Sequence, residues 1–328
     1  MRPQAPCGAC RAVPSRPAWS TRCNPSNASP KPSPIGQLVA RPNDMDLASR
    51  EFDELAKLIH SLTGLVISVD KSYLIKHRLE PVAKRFGCDS FEAFLSVIRK
   101  SGGTRIHDAI IEAVTTKETS FFRDSWLFEA LGQHVLPELA KRLDGTGTRR
   151  NRIRIWSAGC ATGQEAYSLA MLVRELVDNQ PQTRRLNEFS ILASDISSDA
   201  IETARSGLYS ATEIQRGISE GRLRRNLERA GTRWQFAGPL RELIQCRKLD
   251  LLRPPHDLGA FDLVLCRNVL IYFDQPSRQR VCSTVEKHLL PGSFFVLGSA
   301  ESLYGCEHSF ETIKHGRAVI YRKPAASR

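Results

Sequence analysis

Between residues 153 and 298 the chain alternates short apolar runs with amphipathic stretches, and this rhythm restricts the fold more than any other feature. Strands are expected at 153–157, 189–194, 262–266 and 293–298, with helices at 164–178, 198–206 and 275–289 between them. Segments such as "FDLVLCRNVLIYF" and "SFFVLGSA" are short and nearly continuously apolar, as strands covered on both faces are. Strand and helix in turn imply an α/β fold with a doubly wound, mostly parallel sheet. The interval 208–250 breaks the rhythm. It holds the basic, helical "ISEGRLRRNLERA" and then the strand-like "RWQFAG" and "LIQCRKLD", so an inserted helix and a small antiparallel ribbon are expected there.

Upstream the apolar period is helical. Phe52, Leu55, Leu58, Ile59 and Leu62 form one stripe, Leu74, Leu79 and Val82 a second, and Phe91, Phe94, Leu95 and Ile98 a third, with "TG" and "FGCDS" as punctuation. A further helix is expected over 105–114. The expected organisation is a small all-α domain at 45–125, a linker helix and loop at 126–152 and the sheet domain at 153–328. Residues 1–44 carry nine of the eighteen prolines, a composition that cannot bury enough surface to offset chain entropy. They are read as a disordered basic tail, with Met45 as a natural start of structure.

The net charge of +12 invites an acidic or nucleic-acid partner. Five of those charges, six basic side chains less one acidic, belong to residues 1–44. No apolar run approaches the ~20 residues that span a bilayer, and the tail lacks a leader's apolar core, so a soluble protein with no membrane insertion is expected. The nine cysteines are scattered. Cys7 and Cys10 make a CxxC that no second pair completes, so no metal is expected. Cys160, Cys266 and Cys282 fall in or beside apolar runs, where a thiol acts as a small hydrophobe, and the scatter suits a reducing cytoplasm.

The turn after the first strand, "SAGCATGQEAYS", holds Gly159 and Gly163 but neither G-x-G-x-x-G nor a P-loop lysine. Glu165 in the first helical turn suits the helix dipole and would repel a pyrophosphate. Asp195 ends the second strand, where an acid can accept both ribose hydroxyls of a nucleoside, although it could also serve the turn into the next helix. A nucleoside without phosphates is indicated, which favours S-adenosylmethionine over a nicotinamide dinucleotide.

At this point "TTKETSFFRD" (115–124), "WSAGCATGQEAYSLAM" (156–171), "ASDISSDAIETARSGLY" (193–209), "FDLVLCRNVLIYFD" (261–274) and "LPGSFFVLGSAESL" (290–303) resemble, in order, the motifs of the CheR family of chemotaxis-receptor methyltransferases. The resemblance covers about 46–323. It implies a Rossmann-like class I methyltransferase domain behind an all-α receptor-docking domain. The implied reaction is methylation of receptor glutamates from S-adenosylmethionine, giving glutamyl methyl esters and S-adenosylhomocysteine. Carried over by position, Thr119 and Arg123 match cofactor-binding residues, Glu165 the holder of the methionine amino end and Asp195 the ribose acceptor. Asp250 and Leu251 fall where an Asn-Leu pair flanks the adenine, and Arg267 and Asn268 match the pair after the fourth strand. Lys117 stands at a cofactor-contacting position where the family has asparagine, and Asp250 likewise replaces asparagine.

The chemistry needs no general base, because a glutamate with a reference pKa of about 4.3 is ionised near neutrality. The task is desolvation and in-line placement of a weak nucleophile. Arg123 could grip the carboxylate by a bidentate fork and Tyr272 could orient it, making these the candidate catalytic residues. Phe121 and Phe122 are read as packing residues. Lys71, Arg78 and Arg85 recur at seven-residue spacing, with Lys76 and Lys84 nearby, either as a solvated face or as a docking face for acidic receptor helices. In some family members the insertion grips a receptor's C-terminal pentapeptide. The loop "ERAGTRWQFAGP" is short and lacks the glycine-spaced turn of those members, so pentapeptide-independent recognition is expected; a monomer is expected as well. Two other classes of function stand beside this one: a nucleic-acid methyltransferase, disfavoured because "CRNVLIYF" stands where an N/D-P-P-Y/F turn is required, and a catalytically silent S-adenosylmethionine-binding module.

Overall fold

In the computed structural model, which describes residues 45–100, 103–143 and 152–325, the expected helical stripes become a four-helix segment with its own core. Helix α1 (Ser49–Thr63) buries Phe52, Leu55 and Ile59 at spacings of three and four. The Glu51 carboxylate accepts the Ala48 N–H at 2.8 Å, supplying a partner for a donor that helix geometry leaves open. The helix stops at Gly64, where φ is 75° and a Cβ would lie 3.2 Å from the Phe273 ring. Only glycine meets both conditions. Helices α2 (Ser72–Arg85), α3 (Phe91–Lys100) and α4 (Thr104–Val114) close over Ile75, Leu79, Phe91, Phe94 and Ile110.

A helical run, α5 (Ser125–Ala130), a π-helical turn over Leu131–Val135 and α6 (Leu136–Ala140), leads toward the sheet. The tail at 1–44 and most of the polar link near 141–152 lie outside the described residues. The chain then runs β1 (Ile153–Ala158), α7 (Gln164–Asn179), β2 (Phe189–Asp195) and α8 (Ser198–Ser206). The inserted region follows, with β3 (Leu208–Ser210), α9 (Ala211–Gln215), α10 (Glu220–Asn226), β4 (Leu227–Ala230), β5 (Arg233–Phe236) and α11 (Gly238–Glu242). The sheet resumes with β6 (Ile244–Lys248), β7 (Phe261–Cys266), α12 (Gln275–His288), β8 (Leu289–Leu297), β9 (Glu311–His315) and β10 (Ala318–Arg322).

The main sheet has the order β6-β2-β1-β7-β8-β10-β9. Its first five strands are parallel, and β10 and β9 add an antiparallel hairpin at one edge. Side chains of β1 alternate between two cores. Ile153 and Ile155 pack with Leu169 and Val173 of α7, whereas Trp156 and Ala158 pack with Val281 and Val285 of α12. Burial on both faces is what the continuous apolar strands require. The strand order reverses between β1 and β7, which opens a crevice at their carboxyl ends.

One expected element moves. The "LIQCRKLD" stretch does not join the insertion's ribbon; its residues 244–248 form β6, the parallel edge strand beside β2, and the ribbon is the three-stranded sheet β3-β5-β4. An edge strand with little fully buried surface carries too weak an apolar period to betray its sheet. The insertion is anchored by aromatics: Tyr167 stacks on Phe236 at 4.1 Å, and Phe121 meets Tyr209 edge-on at 5.0 Å. Such pairs contribute about 0.5–1.5 kcal/mol each beyond their buried area. Phe121 and Phe122 are both buried packing residues, and Cys160, Cys266 and Cys282 are buried free thiols.

Candidate functional site

The crevice at the switch point is closed over by the helical segment into a single cleft. One wall comes from the ends of β1, β2 and β7, the other from 63–78 and 114–123. The walls are joined by backbone: Leu65 bridges Phe273, and the Val66 N–H donates to the Tyr272 carbonyl at 3.0 Å. Of the ten residues singled out from the sequence, the cleft takes all but Lys117.

The glycine turn folds back on β2. Gly159 and Cys160 donate their N–H groups to the Ser194 carbonyl at 2.8 and 2.9 Å. Gly159 has φ 75°, and a Cβ there would lie 2.5 Å from Val269, so chain and turn approach as closely as glycine permits. Asp195 is held at both oxygens, Oδ2 accepting from Ala161 N at 2.9 Å and Oδ1 from Ser197 N at 2.9 Å. Each oxygen keeps further acceptor capacity toward the cleft. Burial pushes the Asp195 carboxyl above the usual range, opposed by those two N–H donors.

Glu165 lies at the start of α7, 8% exposed, accepting from Ser157 Oγ at 2.7 Å and from Arg267 Nη1 at 3.0 Å. Arg267 also reaches Asp124 Oδ2 at 2.7 Å and the Arg123 carbonyl at 2.8 Å. Both its terminal nitrogens are thus engaged with protein, and it acts on the cleft by bracing Glu165 and the Arg123 segment. Asn268 follows with φ 57°, its N–H donating to Glu301 Oε2 at 2.6 Å. Asp250 accepts from Leu252 N at 2.9 Å, a local turn that presents the 250–251 pair.

Arg123 sits between two left-handed residues, Phe122 at φ 50° and Asp124 at φ 61°. A bulky residue there costs on the order of 1–3 kcal/mol, so the surroundings must hold it. They do so through Ser168 Oγ, which accepts the Phe122 N–H at 2.9 Å, and through Arg222, whose guanidinium lies 3.8 Å over the Phe122 ring while gripping Glu175. Tyr272 is 38% exposed at the rim.

Lys117 is turned away. Its ammonium lies 2.6 Å from Glu112 Oε2 and 3.8 Å from Asp199, an attraction that takes it out of the cleft wall. Conversely, the cleft includes Lys71 and Arg78, which sequence reasoning placed only on a possible docking face. Arg78 donates to the Val114 carbonyl, drawing the middle of the basic stretch inward rather than to solvent. Glu301 was also missed: it accepts from Asn268, Ile271 and Gly298 and so shapes the 267–272 turn. Its one signal was a lone acid among small residues after an apolar strand. Among the described residues no helix is long and apolar enough to cross a membrane, and no group of three or more His, Cys, Asp or Glu side chains could hold a metal.

Two family models match the chain: CheR methyltransferase, all-alpha domain, over 50–115, and CheR methyltransferase, SAM binding domain, over 117–319. The chain is similar to chemotaxis protein methyltransferase 1 of Vibrio cholerae, 33% identical over 277 residues that cover 84% of this chain and 98% of that protein. It is 34% identical to chemotaxis protein methyltransferase 1 of Pseudomonas aeruginosa over 280 residues, covering 85% and 99%. The chemotaxis protein methyltransferase of Vibrio parahaemolyticus is 32% identical, with 84% and 98% covered. Matched through both its helical and its sheet portions, the chain belongs to the CheR methyltransferase family and is an S-adenosylmethionine-dependent methyltransferase.

Proposed function

We propose that the protein transfers a methyl group from S-adenosylmethionine to glutamate side chains on the cytoplasmic helices of chemotaxis receptors, leaving glutamyl methyl esters and S-adenosylhomocysteine. The observation that carries this reading is the polarity of the cleft. The sheet domain supplies Glu165 from the start of α7, Asp195 from the end of β2 and Asp250 from beyond β6, with Arg267 neutralised by its own acids, whereas the helical and connecting segments supply Lys71, Arg78 and Arg123 against Glu118 alone. Acids on one wall suit a cationic nucleoside; cations on the other suit an anionic acceptor.

The residues fit S-adenosylmethionine. Asp195 has acceptors to spare for two ribose hydroxyls, Glu165 can take an amino group, and Leu251 beside Asp250 offers an apolar face and a polar edge to a purine. When bound, the cosubstrate supplies an electrophilic methyl on a sulfonium. Thr119 lies where its hydroxyl can meet the same ligand. Arg267 and Asn268 serve as positioning residues, and Lys117 makes no cofactor contact.

Arg123 grips the substrate carboxylate and Tyr272 orients it from the rim. No proton need be removed from an ionised glutamate. The work of the chain is to exclude water and hold the oxygen in line, worth several kcal/mol of barrier when geometry is good. The test is transfer of radiolabelled methyl from S-adenosylmethionine to a receptor cytoplasmic fragment, with release by mild base. Base-labile label that disappears in Arg123→Ala supports the reading; tight cofactor binding with no label on receptor sinks it.

A further inference from the structure

Glu112, near the end of α4, sets both of its carboxylate oxygens against the start of α8. Oε2 accepts from Ser197 Oγ at 2.5 Å and from Lys117 Nζ at 2.6 Å, and Oε1 accepts the Ser198 N–H at 2.5 Å and the Asp199 N–H at 3.3 Å. The first N–H groups of a helix have no partner within it, and an acid there also meets the positive end of the helix dipole. Ordinarily the chain's own capping residue suffices. Ser197 already caps α8, its Oγ accepting the Ala200 N–H at 3.0 Å, so Glu112 is an addition from a distant helix.

The same serine holds Asp195 from the other side. Ser197, with no exposed surface, donates its N–H to Asp195 Oδ1 at 2.9 Å. One turn earlier on α4, Asp108 receives Lys248 Nζ at 2.7 Å. Lys248 is the residue of β6 that stands in register with Asp195, and the Leu249 N–H donates to the Asp195 carbonyl at 2.8 Å. Two acids four residues apart on one helix face therefore land on both flanks of Asp195. Lys117 offsets the negative charge that Glu112 brings near a second carboxylate, which explains a lysine that touches no part of the cleft.

We propose that Glu112, assisted by Asp108, is a positioning residue that sets the Asp195 carboxylate for the ribose hydroxyls, so that the helical segment controls nucleoside affinity. This rests on the reading of Asp195 as ribose acceptor. A cap that merely steadied α8 would affect stability and leave ligand selectivity alone.

The full chain is titrated calorimetrically with S-adenosylhomocysteine and with its 2′,3′-dideoxy analogue, and the ratio of affinities is compared between wild type, Glu112→Gln and Asp108→Asn. Wild type should favour the hydroxylated ligand by about tenfold or more, as hydrogen bonds to a charged group do. Glu112→Gln should shrink that preference to about threefold or less, with the dideoxy ligand bound nearly as before. Equal weakening of both ligands, with the ratio kept, would overturn the proposal. Should Glu112→Gln fail to fold, Asp108→Asn decides, because its ion pair is exposed: a ratio reduced about twofold supports the idea and an unchanged ratio refutes it. A wild type that does not distinguish the two ligands would instead remove the ribose role of Asp195, and this inference with it.

Discussion

Arg267 Nη1 lies 3.0 Å from Glu165 Oε2, and the arginine side chain is only 2% exposed. Arg267 comes from the end of β7 and Glu165 from the first turn of α7, so the pair spans the switch point, and Asp124 at 2.7 Å makes it a triad. Removing one partner from such a group leaves buried charge without compensation. Arg267→Met should lower stability to unfolding by roughly 3–5 kcal/mol, read by urea denaturation. Arg267→Lys keeps the charge but not the fork, and should recover only part of that loss.

Arg123→Ala should separate binding from transfer. If its guanidinium grips the acceptor carboxylate, kcat/KM for receptor should fall roughly a hundredfold or more, the usual cost of truncating one side of a desolvated charged pair. Calorimetric affinity for S-adenosylhomocysteine should fall far less. A parallel loss of both would leave Arg123 with the cofactor-binding role that its motif position also implies, and not with the acceptor.

Asp195 gives a pH dependence with a definite sign. Burial raises its carboxyl above the usual 3.8, despite donors from Ser197 and Ala161. If Asp195 accepts the ribose hydroxyls it must do so as the anion, so nucleoside affinity should decline on acidification earlier than an ordinary carboxylate would allow. In the window between the ordinary and the raised value the folded chain holds more protons than the unfolded one, so this group's contribution to stability falls as pH rises through it. Titrations of S-adenosylhomocysteine from neutral to mildly acidic pH check the first point, and Asp195→Asn should flatten the profile.

Gly217, in the insertion, lies so close to the Phe121 carbonyl that an added Cβ could not fit without moving the backbone. Gly217→Ala should therefore displace the 119–124 segment, costing about 1–3 kcal/mol in stability. Receptor methylation should suffer more than cofactor binding, because Arg123 rides on that segment. Initial rates beside thermal melts would show it.

The βαβ elements were legible because β1, β2 and β7 are covered on both faces and therefore write their burial into the sequence. Strand β6 and the β9–β10 hairpin were not: Gln245 and Glu311 are exposed at sheet edges, and their pairing is decided by neighbours distant in the chain. The same division holds in the cleft. Asp195 and Glu165 follow from being next to a glycine turn and a strand end, positions that local pattern can locate. Arg78 and Glu112 become meaningful only when α2 and α4 fold over the sheet, and nothing within their own helices distinguishes them from solvated charge. Lys117 was marked by its departure from a motif, yet what it does instead depends on a carboxylate five residues away that only the folded geometry connects to α8.

The backbone seam at Leu65–Phe273 and Val66–Tyr272 has an evolutionary consequence. Because one active cleft is shared between two parts of the chain that each build their own core, those parts cannot be traded independently. Recombination that grafted a foreign helical segment onto this sheet would import the wrong wall for the cleft, and selection must see the two as one heritable unit.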